Sequence, residues 1–204
     1  MHVNFFRFIT LLAFILITGC AASYKPIMPA QRVYRTGDST SVIGMMYKYD
    51  VLSLRKNRRY SKKEMKAMLS VVAVKIHNHS DSVLFTSKMK LFAGTREVIP
   101  VSPILAAKAL RQGVAIYLLY SLLTFTLTKQ EFTGHGVENH YTVLPIGIPI
   151  AIGNMIGAAD ANAHLKREFM KYDISNKSIK PGETLYGIIT LMGASHDPLN
   201  VKFY

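Results

Sequence analysis

Residues able to do chemistry are few and mostly badly spaced for it. Cys20 is the only cysteine, so no disulfide can form within the chain. His77 and His79 stand two apart on or just beyond an apolar run, so they can share a face and hold a metal between two imidazoles. His77 also shares that face with Lys75, which favours a solvated pair. His135 and His140 bracket Glu138, a second set able to take zinc, but their spacing matches no helical zinc motif such as His-Glu-x-x-His. Ser195-His196-Asp197 has the composition of a hydrolytic triad, yet adjacent residues cannot form the spatial relay a triad needs. They read as a turn before Pro198. Gly134 and Gly136 lack the rest of a phosphate-cradling loop, and Met45, Met46, Met65 and Met68 read as strand or core positions. The expectation is no catalysis, no metal and no cofactor.

Cys20 is informative through its setting. Arg7 precedes an almost uninterrupted apolar run from Phe8 to Ile17, and Gly19 stands directly before the cysteine. A basic start, a short apolar stretch and a small-residue site make an export signal, too short for an ordinary spanning helix. Ile17-Thr18-Gly19-Cys20 resembles the bacterial lipobox. The resemblance implies a lipoprotein whose signal peptide, residues 1–19, is removed. It also implies a diacylglyceryl group on the Cys20 sulfur and an acyl chain, such as palmitate, on the new amino end. Two or three acyl chains anchor stably, since each buried methylene contributes about 0.8 kcal/mol. Ala21, in place of an aspartate, resembles an outer-membrane sorting signal. The expected location is the bacterial cell envelope, at the outer membrane, with the acyl chains on Cys20 as the membrane contact.

The formal net charge is +13. Export argues against nucleic acid, and no RNP-like string supports it. The anions at hand are lipid phosphates, envelope polysaccharides or an acidic protein patch. Arg55, Lys56, Arg58, Arg59, Lys62, Lys63 and Lys66 crowd one short stretch, relieved only by Glu64. Such a run reads either as a solvated loop or hairpin turn between strands, or as a contact for anionic lipid or polysaccharide. In the second case each basic residue contributes about 1 kcal/mol near the surface.

The elements that would position these groups follow from composition and period. Residues 20–41 form the lipid anchor and a flexible tether, interrupted by Pro26, Pro29 and Gly37. Residues 42–102 and 169–204 have strand texture. Val72, Val74 and Ile76 alternate with Lys75 and His77, Lys180-Pro181-Gly182-Glu183 is a strong turn, and 184–192 is a long strand apolar on both faces that should lie centrally. Val-x-Val-x-Ile-x-Asn at 72–78, together with Ile-Lys-Pro-Gly-Glu-Thr at 179–184, resembles immunoglobulin-like sandwiches in exported bacterial lipoproteins. The fold expected is mainly β with an α insertion: an antiparallel immunoglobulin-like β-sandwich. With a single cysteine and no tryptophan, an antibody-type domain is excluded.

Residues 103–168 interrupt that sandwich. Ser102-Pro103 is a good helix start, and two uncharged runs, 113–128 and 141–159, flank a polar loop. The pattern predicts an apolar helical hairpin. Gly153, Gly157 and Ala161 recur at four-residue spacing and would let two helix backbones approach closely. Three arrangements are open: burial on the chain itself, packing on other copies or another envelope protein, or insertion in a bilayer. The functional expectation is a lipid-anchored interaction or structural protein of the envelope, with an envelope protein or a second copy as partner. The alternative is a small apolar ligand or lipid held between sandwich and hairpin. A metal-dependent hydrolase is a third reading.

Overall fold

The computed structural model describes residues 21–39, 41–133, 136–193 and 196–204. Its strands are β1 (Thr36–Asp38), β2 (Ile43–Lys48), β3 (Leu69–Asn78), β4 (Leu84–Phe85), β5 (Met89–Ala93), β6 (Arg96–Val98), β7 (Phe125–Thr133), β8 (Gly136–Leu144), β9 (Ser178–Ile179), β10 (Thr184–Met192) and β11 (Leu199–Phe203). Its helices are α1 (Val51–Leu54), α2 (Arg58–Lys66), α3 (Pro103–Leu110) and α4 (Gly147–Lys171), with a 3₁₀ segment at Ala115–Leu122. The chain divides into a larger unit, Tyr24–Gln112 with Ala161–Tyr204, and a smaller one whose described part is 21–23 and 113–160.

In the larger unit the alternation of β3 organises two cores. Val71 and Ala73 turn to one side and pack with Tyr60, Ala106, Leu110, Leu165 and Phe169, all contributed by helices or helix ends. Val72, Val74 and Ile76 turn to the other side and meet Leu91, Ile174, Ile179 and Leu199. A strand buried on both faces can support two layers, and each fully buried Val or Ile contributes roughly 1.5–3 kcal/mol. The sheet order is β1-β2-β3-β10, all antiparallel, beside separate β11-β5-β6 and β4-β9 sheets. The architecture is mixed α/β, with several antiparallel sheets and one long helix.

Several expectations change. β10 lies at the edge of its sheet, not the centre. It is apolar on both faces because both cores cover it, and its outer edge bonds elsewhere: Ile188 N–H donates to Tyr172 C=O at 2.9 Å, and Val101 N–H donates to Thr190 C=O at 2.7 Å. The helical hairpin expected over 103–168 is replaced by α3, the 3₁₀ segment, a β-hairpin of β7 and β8, and α4. Ser102 Oγ does cap α3, accepting from Leu105 N–H at 3.4 Å. The polar stretch read as an interhelical loop forms paired strands because Phe-Thr-Leu-Thr and Tyr-Thr-Val-Leu alternate with period two and carry β-favouring residues. α4 begins at Gly147, and Pro149 sits in its first turn, where a missing N–H costs no helix bond.

The turn at 180–183 forms as expected, with Gly182 at φ 73° and Glu183 N–H donating to Lys180 C=O at 3.0 Å. Gly187 on β10 is required for a different reason. A Cβ there would lie 2.0 Å from Ile174 Cγ2 and 3.3 Å from Tyr172 O. Gly187→Ala is expected to lower stability by about 1–3 kcal/mol through overpacking, measured as a shifted denaturant midpoint at unchanged slope.

Candidate functional site

The segment that follows Cys20 is hydrogen-bonded from its first described residue, where Ala21 N–H donates to Asn154 Oδ1 at 2.7 Å, and from Tyr24 onward it belongs to the larger unit. Glu168, on α4, receives three hydrogen bonds from it: the Tyr24 hydroxyl at 2.5 Å, Ile27 N–H at 2.9 Å and Met28 N–H at 2.8 Å. Tyr24, Ile27 and Glu168 are all buried. Burial first, then the neighbouring Glu168 charge, holds the Tyr24 phenol well above its ordinary range. The expectation of a flexible tether across 20–41 therefore fails over its middle. A tether needs solvated backbone, whereas here a buried carboxylate gathers the donors of a short apolar run.

The same segment touches the start of the basic stretch. Lys25 N–H donates to Asn57 Oδ1 at 2.8 Å, Asn57 Nδ2 donates back to Lys25 C=O at 2.7 Å, and Arg55 Nε donates to Pro26 C=O at 2.7 Å. Tyr24 and Tyr60 meet edge to face, with ring centroids 5.3 Å apart. Tyr60 OH in turn donates to Asn162 Oδ1 at 3.2 Å and accepts from Gln112 Nε2 at 2.9 Å, tying α2 to α4 and to the end of α3.

The basic residues form helix, correcting the loop or hairpin turn expected at 55–66. At about 100° per residue, Arg58, Lys62, Lys66, Arg59 and Lys63 fall on one arc of about 140°. Tyr60 and Glu64, on the opposite side, are buried. The sequence is helical because a cationic arc stays solvated while Tyr60 fills the core shared with Leu52 and Phe169. Arg55 and Lys56 lie between α1 and α2. Met65 and Met68 are exposed, so apolar side chains accompany the basic arc. Cationic residues with neighbouring exposed apolar side chains suit a headgroup boundary.

Glu64 lies beneath this arc and accepts from Val71 N–H at 2.6 Å. Burial, aided by Asp50 and opposed by the Val71 N–H, raises its carboxyl to about 7.

The remaining expectations fall as follows. Cys20, His135 and Ser195 lie outside the described residues. Gly153 has open space around it, and a Cβ on Gly157 would meet only Ala21 Cβ, at 3.5 Å. Ala161 is buried, and Ala151 and Ala158 share that fate, so the small residues enclosed within the chain are alanines. His77 and His79 have ring centroids 4.0 Å apart, but His77 Nδ1 is taken by Thr184 Oγ1 at 2.7 Å. Burial, His79 and Lys75 all lower the His77 pKa. His196 pairs with Asp50 at 3.4 Å, across the chain from Asp197. Among the described residues no group of three His, Cys, Asp or Glu is placed to hold a metal. Glu168 and Asn57 were not singled out by sequence. Glu168 had one signal: a carboxylate in line with Ala161 and Leu165 on the buried side of a helix.

Two outcomes are expected. Glu168→Ala leaves the buried Tyr24 hydroxyl and Ile27 N–H without an acceptor, costing about 3 kcal/mol, and limited proteolysis with trypsin should cut after Arg32 at least tenfold faster. For Glu64 the folded pKa lies above the ordinary 4.5, so the folded state binds the proton more tightly. Its stabilising contribution is complete below pH 4.5 and is lost as pH rises through about 7. Unfolding midpoints should fall over that window by at most a few kcal/mol, at about 1.4 kcal/mol per unit, and Glu64→Gln should flatten the profile.

No protein-family model matches the chain, and neither a curated protein nor a solved structure does.

Proposed function

We propose that this chain is a lipoprotein of the bacterial cell envelope, acylated at Cys20, whose larger unit rests against an anionic membrane surface and acts as an interaction or structural protein without catalysis. The carrying observation is the contact of Lys25 and Pro26 with Asn57 and Arg55, which sets the chain's exit toward Cys20 beside the basic arc of α2. Only three residues separate Tyr24 from Cys20, a reach of at most ~13 Å over four steps, against ~65 Å for an extended tether through residue 41. Acyl chains so close to the unit bring Arg58, Arg59, Lys62, Lys63 and Lys66 within the short range over which headgroup phosphates attract them. Among the described residues no helix is long and apolar enough to cross a membrane, consistent with attachment through lipid. The outer membrane is the proposed destination. The immunoglobulin-like sandwich belongs to the same proposal, with the α2, α3 and α4 layer added over one face of the β3 sheet.

An apolar ligand is a second reading, favoured by a groove of about 520 Å³ in the larger unit, lined in part by Ile99, Ile104, Phe169, Met170 and Ile188. Lipid co-purifying in native mass spectrometry, and lost on Ile104→Asp, would favour it.

Two measurements test the leading proposal. Labelled palmitate should enter the full chain in bacteria and be absent from Cys20→Ser. A form starting at Ala21 should bind vesicles containing phosphatidylglycerol, and Lys62→Glu with Lys63→Glu should weaken that binding at least tenfold, at about 1 kcal/mol per charge removed. Equal binding to neutral vesicles would contradict the proposal.

A further inference from the structure

In the smaller unit β7 and β8 pair only with each other among the described strands. Each therefore keeps one open backbone edge, and a lone two-stranded hairpin is marginally stable in water. The side chains do not close it. Leu127, Phe132, Val137, Tyr141 and Val143 are exposed.

The register adds an electrostatic conflict. Glu131 stands directly opposite Glu138, and Lys129 directly opposite His140. Like charges at directly opposed positions destabilise a strand pair. The observed relief is diagonal: Lys129 pairs with Glu131 along β7, and the His140 imidazole lies 3.8 Å from Glu131 and 3.9 Å from Glu138.

The same residues are arranged to satisfy a second strand of their own kind. Read along β7, the charges of Lys129-Gln130-Glu131 are antisymmetric about the central amide. Two antiparallel copies of β7 with a two-fold axis at Gln130 place Lys129 opposite Glu131 twice, Gln130 opposite Gln130, and Phe132 opposite Thr128. The face carrying Thr126, Thr128, Gln130 and Phe132, with Val143, Tyr141, Asn139 and Val137 beside them, bears no charge. The charged pairs all fall on the other face. Pairing would thus make a four-stranded sheet with one uncharged side and one side of matched ions. Along β8, Glu138-Asn139-His140 repeats the arrangement with an imidazole in place of the amine.

We infer that the chain self-associates through the open edge of β7, antiparallel to β7 of a second copy, in the register that sets Lys129 against Glu131. A bilayer is a poorer cover for this edge, because hydrocarbon cannot satisfy its N–H and C=O groups. The contact is isologous, so it closes at two copies. The inference is independent of the membrane proposal above.

The test uses the full chain purified from bacteria in mild detergent, with mass measured by sedimentation. The unaltered chain should form a two-chain species that weakens with salt. Lys129→Glu alone sets carboxylates against carboxylates, and Glu131→Lys alone sets amines against amines. Each should weaken association at least tenfold. An equimolar mixture of the two single variants should restore it, since a strand with two carboxylates then meets a strand with two amines. Restoration by mixing cannot come from a variant that fails to fold. A monomer at all concentrations, an association indifferent to both single variants, or variants that stay apart when mixed would each overturn the inference.

Discussion

The buried Glu168 carboxylate is the interaction on which the arrangement turns. It takes a hydroxyl and two backbone N–H groups from residues 24–28. Left unbonded, those donors could not lie in an apolar core, because each buried donor without a partner costs roughly 1–3 kcal/mol. With them satisfied, Ile27 and Tyr24 join the core that already holds Tyr60, Leu165 and Phe169. The clamp thus converts a stretch of chain into a docked strap, and fixes where the chain leaves the domain on its way to Cys20.

α2 supplies the other half. Its basic arc leaves Tyr60 and Glu64 to face inward, and those two side chains bind it to the sheet and to α4. A helix carrying so many like charges would repel itself if free in solution. Packing on one side holds the arc in place and aims it at solvent. The docked segment and the cationic arc are then built from neighbouring residues, joined by the contacts of Asn57 and Arg55 with Lys25 and Pro26.

Strand period was legible along 69–78 and 184–192, as was the Lys-Pro-Gly-Glu turn, because alternation and positive φ are local properties. The docking of 24–31 was not legible. Pro26 and Pro29 break any period, and the partner carboxylate lies some 140 residues away, so nothing nearby marks those donors as satisfied. The α2 helix was hidden by charge. A run of lysines and arginines reads as solvated whatever its backbone does, and only Tyr60 and Glu64, four apart, betray a buried side. Of the hairpin at 125–144, residues 125–128 and 141–144 were counted into the uncharged runs of a helical hairpin and 129–139 into a polar loop, because absence of charge was weighed above alternation. Thr126, Thr128 and Thr142, with Val143, mark strand chemistry on that same segment. Of the candidate residues, the basic cluster was singled out as a set but read as a loop or turn where α2 is helical. The glycines at 153 and 157 were chosen by spacing where the alanines at 151 and 158 are the residues enclosed.

The most direct measurement of the central claim is neutron reflectivity of the full chain on a supported bilayer containing anionic lipid. With the strap docked, protein density should begin within ~15 Å of the headgroups, as the short span from Tyr24 to Cys20 allows. A water layer tens of ångströms thick between lipid and protein would contradict the account.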